Sequence, residues 1–202
     1  MVKPLLPLFP LDVVLFPGTP LPLHIFEPRY RELIHECLEQ KKVFGIVKTE
    51  EEGLADIGCT AEIVAVTKKY PDGKMDIVTE GRQRFEVLEI TEERPFLQAE
   101  VFYFDDEPGR ATQQQIEHAV KLHAEIMAMA SAEQNLPEGE EKISFYLAGS
   151  LPLDLDFKQT LLEMRSEAER MEAIITAFEA ILPKLKRTVQ VRQKAGGNGH
   201  AQ

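Results

Sequence analysis

Leu6-Pro7-Leu8-Phe9-Pro10-Leu11-Asp12-Val13-Val14-Leu15-Phe16-Pro17-Gly18, followed after Thr19-Pro20 by Leu21-Pro22-Leu23-His24-Ile25-Phe26-Glu27-Pro28-Arg29-Tyr30, is the stretch whose reading decides the fold. Two short apolar runs, Leu5 to Phe9 and Leu21 to Ile25, have the length and composition of strands. Their prolines remove ladder donors, which suits sheet edges or strand ends. Phe16-Pro17-Gly18 between them is a turn. Glu27 to Gln40 reads as a helix: Pro28 fits the first turn, and Tyr30, Leu33, Ile34, Cys37 and Leu38 form one apolar stripe for a sheet.

Working outward, strands are predicted at Val43 to Lys48, Asp56 to Tyr70, Met75 to Glu80, Arg82 to Thr91 and Phe96 to Phe104, with Pro71-Asp72-Gly73 as a hairpin turn. Many short strands with one early helix predict a small closed or nearly closed barrel, since closure removes reactive sheet edges. Asp105 to Arg110 is a polar, Pro- and Gly-containing boundary. Beyond it the period becomes helical. Thr112 with Gln115 has capping-box spacing and opens a helix ending near Ala132; Ile143 to Ser150 is a short helix; Asp156 with Gln159 and Ser166 with Glu169 cap two more. Pro183 predicts a kink or interruption in the last. The expected organisation is α+β: a β-rich part over 1–107, a helical part over 108–193, and a Gly-rich, disordered tail over 194–202.

The 202 residues carry 23 Lys and Arg against 34 Asp and Glu, a net charge of −11 that repels phosphate backbones and anionic lipids. No nucleic-acid or membrane partner is therefore expected, both being disfavoured by the mean field; a local basic patch would have to override it, and Arg82 with Arg84, and Lys184, Lys186 and Arg187, make only thin ones. Cys37 and Cys59 lack the spacing of a zinc or redox pair and read as reduced thiols. Prolines interrupt every early apolar run, so no secretory signal is read, and no span reaches the ~20 apolar residues of a membrane helix. A cytoplasmic location is expected.

Catalytic signatures are missing. No phosphate loop, G-x-G-x-x-G, nucleophile elbow, H-E-x-x-H or C-x-x-C occurs, so no cofactor, metal or catalytic residue is assigned. His118 and His123 lie about 140° apart around a helix, too far round for one metal ion. Ser144 and Lys142, two apart, would point to different helix faces. Glu50-Glu51-Glu52 and Glu138-Gly139-Glu140-Glu141 read as solvated loops. Ile126-Met127-Ala128-Met129 reads as helix core ahead of an adaptable binding surface. His24, interrupting an apolar run, reads as a hydrogen-bonded structural histidine ahead of a catalytic one.

The opening stretch also resembles the Lon substrate-binding domain family, whose pattern begins P-L-F-P-L, continues to F-P-G and P-L, and in stand-alone bacterial members reads I-F-E-P-R-Y. Gly45, Ile57-Gly58 before Ala61-Glu62-Ile63, Asp72-Gly73, Gly81-Arg82-Gln83-Arg84-Phe85 and Lys158-Gln159-Thr160-Leu161-Leu162-Glu163 extend the similarity over about residues 5 to 185. The resemblance implies a PUA-like pseudobarrel with one embedded helix, followed by a helical bundle, used in full-length Lon proteases to engage unfolded or tagged proteins. The ATPase and serine-lysine peptidase parts have no counterpart here. The expected function is therefore non-enzymatic binding of unfolded or extended protein segments, as a quality-control adaptor with a protease or chaperone as further partner. Peptide contacts are expected at Phe16, Pro17, Phe26 and Tyr30, at His24, Glu27 and Phe85, and at Arg29, Arg82 and Arg84. The competing reading puts Phe16, Phe26, Tyr30 and Phe85 in the core and makes Glu27 and Arg29 a cap or brace for the helix. Two other functions stay open: RNA binding, by fold analogy alone, and an unrecognised enzyme using His24 with Glu27 or Cys59.

Overall fold

A computed structural model describes residues 5–132, 136 and 142–197, with side chains to 189. The chain divides into two compact units, residues 1–105 with 149–163, and residues 106–148 with 164–202. The sequence order alone assigned 149–163 to the helical part; it instead returns to the strands.

The first unit is built on β1 (Leu6–Leu11), β2 (Pro20–Ile25), α1 (Pro28–Gln40), β3 (Phe44–Glu50), β4 (Gly53–Leu54), β5 (Ile57–Lys69), β6 (Met75–Thr91) and β7 (Gln98–Phe104). Strand β1 closes the sheet. Its start pairs antiparallel with β7, Leu6 opposite Ala99, and its end pairs parallel with β3, from Leu8 opposite Gly45 to Leu11 opposite Lys48. With β7 on β6, β6 on β5 and β5 on β3, five strands form a ring. Each side of β1 is only partly used, which is how Pro7 and Pro10 fit a strand that is not an edge. The parallel β1–β3 pair needs a crossover, and β2 with α1 supplies it.

Met75 to Glu80 and Arg82 to Thr91 are one continuous strand, β6. A Cβ on Gly81 would lie 2.1 Å from the Phe16 carbonyl oxygen, so glycine keeps the strand running against the turn without a break. Register shifts against β5 and β7 bend this long strand around the ring. Inside, Leu6, Leu8, Val47, Ala55, Phe85 and Ala99 form a buried cluster. Phe85 occupies space left open by two glycines, since Cβ atoms on Gly45 and Gly58 would each approach its Cζ to 2.6 Å.

Helix α1 begins at Pro28 and ends at Lys41 in the left-handed region (φ 50°), with Tyr30, Leu33, Ile34 and Cys37 buried as the stripe predicts. Helix α4 (Leu155–Glu163) lies on β5, where the Gln159 amide donates to the Ile57 carbonyl at 3.0 Å. Its capping residue is Asp154, not Asp156: the Asp154 carboxylate accepts from the N–H groups of Asp156 and Phe157 at 3.0 and 3.1 Å.

The second unit contains α2 (Gln113–Met129), α3 (Ile143–Gly149, up to residue 148) and α5 (Glu167–Gly197). Thr112 and Gln115 form the predicted capping box, and Ser166 Oγ accepts from Glu169 N–H at 3.2 Å. Contacts Gln115–Glu172, His118–Glu179 and Glu125–Lys186 show α2 and α5 running in the same direction. Pro183 lies inside α5, which is assigned as helix on both sides of it, so no interruption occurs. Arg170 is fully buried and uses all five guanidinium donors: Nε to Ser144 Oγ at 3.0 Å, Nη1 to Asp106 Oδ1 and the Met164 carbonyl at 2.8 Å each, and Nη2 to Asp106 Oδ2 at 2.5 Å and Glu167 Oε2 at 2.6 Å. The acidic stretch 138–141 lies outside the described residues; the expected tail is helical to 197, and 198–202 are likewise outside them.

Candidate functional site

The end of β1, the end of β2 and the first turn of α1 enclose a groove of about 370 Å³. Phe9, Pro10, Leu11, Pro22, Leu23, Ile25, Phe26 and Tyr30 give it an apolar lining, and His24, Glu27 and Arg29 supply its polar groups. The shape follows from strand alternation: in β2, Leu21, Leu23 and Ile25 turn inward and Pro20, Pro22 and His24 outward, so Phe26, next in the alternation, stands out at 56% exposure. Below it the buried rings of Phe9 and Tyr30 are stacked at 3.9 Å and 13°. Burial of the Tyr30 hydroxyl raises its pKa, against the opposing pull of Arg29.

His24 is held in place. Its Nδ1 meets Asp76 Oδ1 at 2.5 Å, and the Tyr70 hydroxyl donates to Asp76 Oδ2 at 2.8 Å. The His24 bond first, and the Tyr70 bond second, keep the Asp76 carboxyl below the usual carboxylate range. The imidazole also lies 6.0 Å from the Phe26 ring at 21°, forming a two-ring platform on the groove's rim. Glu27 occupies the N-cap position of α1 without a side-chain cap bond; its carboxylate accepts from Arg29 Nε and Nη2 at 2.9 Å, a brace rather than a cap.

The ten residues expected as contacts therefore separate. His24, Phe26, Glu27, Arg29 and Tyr30 come together at the groove. Pro17 is half-buried and Arg82 is exposed, its guanidinium paired with Glu62 at 2.6 Å and with Glu80. Phe16 and Phe85 are fully buried core. Arg84 is 2% exposed, donates to the Leu162 carbonyl at 2.9 Å and lies 4.6 Å from the Phe104 ring. It braces α4 against the sheet and is unavailable to a ligand.

Further exposed apolar side chains escaped the sequence reading: Leu88 and Ile90 on β6, and Phe102 and Tyr103 on β7. Their signal was the adjacent apolar pairs Val87-Leu88 and Phe102-Tyr103, which put an apolar side chain on both faces of a strand.

The groups named for the alternative chemistry are engaged elsewhere or held as neutral thiols. His24 is paired with Asp76 and Glu27 with Arg29, while burial pushes the Cys59 thiol up to about 12 and the Cys37 thiol to about 11, far from a reactive thiolate. Ser144 serves the Arg170 network, accepting from its Nε and contacting Glu167 Oε2 at 2.6 Å. His118 pairs with Glu179, and His123 is buried beside Tyr146 and Phe178. Among the described residues no metal-binding cluster occurs and no helix is long and apolar enough to cross a membrane.

The family model of the ATP-dependent protease La (LON) substrate-binding domain matches residues 5–178. This chain belongs to the Lon substrate-binding domain family. Among relatives, the Lon protease of Cytophaga hutchinsonii is 25% identical over 208 residues, 94% of this chain and 26% of its own length. That of Parabacteroides distasonis is 34% identical over 121 residues, 55% of this chain and 15% of its own. The Lon-family chain thus spans about a quarter or less of these curated relatives. In fold it is similar to a Lon N-terminal domain protein from Xanthomonas campestris, with a TM-score of 0.69 at 24% identity over 86% of this chain and 98% of that one. The N-terminal domain of a Mycobacterium avium complex Lon protease gives 0.65 at 18% identity over 87% and 98%. These matches fix the fold as the Lon N-terminal type.

Proposed function

We propose that this Lon-family domain binds exposed apolar, extended segments of client proteins in the groove between β1, β2 and α1, without catalysis of its own. The observation that carries the reading is Phe26: a large aromatic ring, 56% exposed, held on the rim of an apolar groove by a fixed histidine. A single exposed ring is ordinary, but one standing over an apolar groove with a polar rim has the make-up of a docking site. Membership in a family named for substrate binding supports a protein ligand. We further propose an adaptor role in protein quality control, alongside a protease or chaperone, in the cytoplasm, where unpaired and buried Cys37 and Cys59 suit a reducing compartment. RNA binding is not favoured: Arg84 is internal, Arg82 is neutralised by two carboxylates, and the net charge is −11.

The test is titration of a permanently unfolded polypeptide, such as reduced and alkylated lactalbumin, into the wild-type domain and into Phe26→Ala. About half of a ring that can bury ~200 Å² is available, so its loss removes up to ~2–3 kcal/mol, and affinity drops by roughly ten- to a hundredfold. Circular dichroism and melting should stay unchanged. Equal binding by the two proteins would remove the groove from the account.

A further inference from the structure

The free edge of β2 has an unusual polarity. The Thr19 carbonyl accepts from Gly81 N–H at 3.0 Å, and the Leu21 carbonyl accepts from the hydroxyl of its ladder partner Thr79 at 2.9 Å. Backbone groups of an antiparallel strand alternate sides, so Thr19, Leu21, Leu23 and Ile25 address β6. Those of Pro20, Pro22 and His24 address the opposite side, where no strand pairs among the described residues. All three are exposed, and Pro22 and His24 line the groove. Proline has no N–H, so this edge offers three carbonyl acceptors against one donor, the His24 N–H.

We propose that the groove takes a client segment as an added strand along this outer edge of β2, its alternate N–H groups donating to the carbonyl oxygens of Pro20, Pro22 and His24. This rests on the groove-binding reading above and states how that binding works. The occupant is an extended segment with apolar side chains on the groove side and basic or neutral ones elsewhere, because the chain's net charge of −11 disfavours acidic segments. A second copy of the same edge is a poor occupant, since acceptors would face acceptors. Only every second N–H of the client is read. Recognition is therefore by backbone and tolerant of sequence, with half of an ordinary ladder formed.

The experiment uses a seven-residue, acetylated and amidated peptide of alternating leucine and lysine, with amide-to-ester replacements made one position at a time. An ester removes the N–H and keeps the chain extended. Esters at alternate positions should weaken binding roughly five- to tenfold each, and esters at the intervening positions should change it less than twofold. Sliding of the peptide by two residues preserves this parity. Pro22→Ala, which returns an N–H to the edge, should tighten binding severalfold. A flat ester scan, with binding that still falls on Phe26→Ala, overturns strand addition and leaves the groove reading intact. No binding of the all-amide peptide overturns both. Concentration-dependent dimerisation of the wild-type chain that Pro22→Ala strengthens would put a second copy in place of the client and overturn the proposal.

Discussion

Replacing Arg170 by Met keeps a long, flexible side chain but removes five donors and the positive charge that pairs with both Asp106 and Glu167. The two carboxylates are 9% and 4% exposed, so water cannot substitute for the guanidinium. Breaking a buried ion pair from one side costs roughly 3–5 kcal/mol. Each kcal/mol is worth about 4–8 °C in a unit of this size, so the helical signal at 222 nm should melt at least about 12 °C lower than in the parent. Arg170→Lys should fall between, because one ammonium carries the charge but cannot span the Asp106 fork and Ser144 together. The triple variant Arg170→Met, Asp106→Asn, Glu167→Gln removes the uncompensated charges and should recover more than half of the loss. A melting point for Arg170→Met within about 3 °C of the parent would refute the claim that this network holds the second unit together.

Gly58→Ala should cost about 2–3 kcal/mol by chemical denaturation, because its Cβ would sit 2.5 Å from the Ile46 carbonyl as well as against Phe85; adding Phe85→Leu should not restore it, since the backbone clash remains. Burial lowers the pKa of His123, so below about 6.5 the unfolded chain takes up a proton that the folded chain refuses. Stability should therefore fall as pH drops from 7 to 5, and His123→Gln should flatten that slope; an unchanged slope would contradict the buried neutral ring. Arg84→Met should lower stability while leaving peptide affinity within twofold at a temperature where the variant is folded. Weakened binding by a fully stable Arg84→Met would return Arg84 to the surface.

Local chemistry was legible and long-range pairing was not. The Phe16-Pro17-Gly18 turn, the α1 stripe and the Thr112 capping box each rest on neighbours within a few residues, and each stands in the structure. Closure through β1 depends on pairing residues 6–11 with both 45–48 and 98–99, which no local pattern encodes. The same holds for the return of 149–163 to the sheet. Asp156 read as a cap because Gln159 follows it at capping spacing; the hydrogen bonds decide for Asp154, two residues earlier. Arg84 read as a surface contact because a charged strand residue is normally solvated; the Leu162 carbonyl and the Phe104 ring are among the partners that account for its burial. Within the candidate site, the inward Leu21, Leu23 and Ile25 already implied an outward His24; the Asp76 partner, 52 residues on, could come only from the fold.

The most direct measurement is backbone amide mapping, by NMR shifts or hydrogen exchange, during titration with the unfolded polypeptide. Binding in the groove predicts perturbation concentrated at Phe9, Leu11, Leu23 to Glu27 and Arg29 to Tyr30, with little change on β6 and β7 around Leu88 and Phe102. Perturbation centred on Leu88, Ile90, Phe102 and Tyr103, with the groove silent, would contradict the account and move the binding site to β6 and β7.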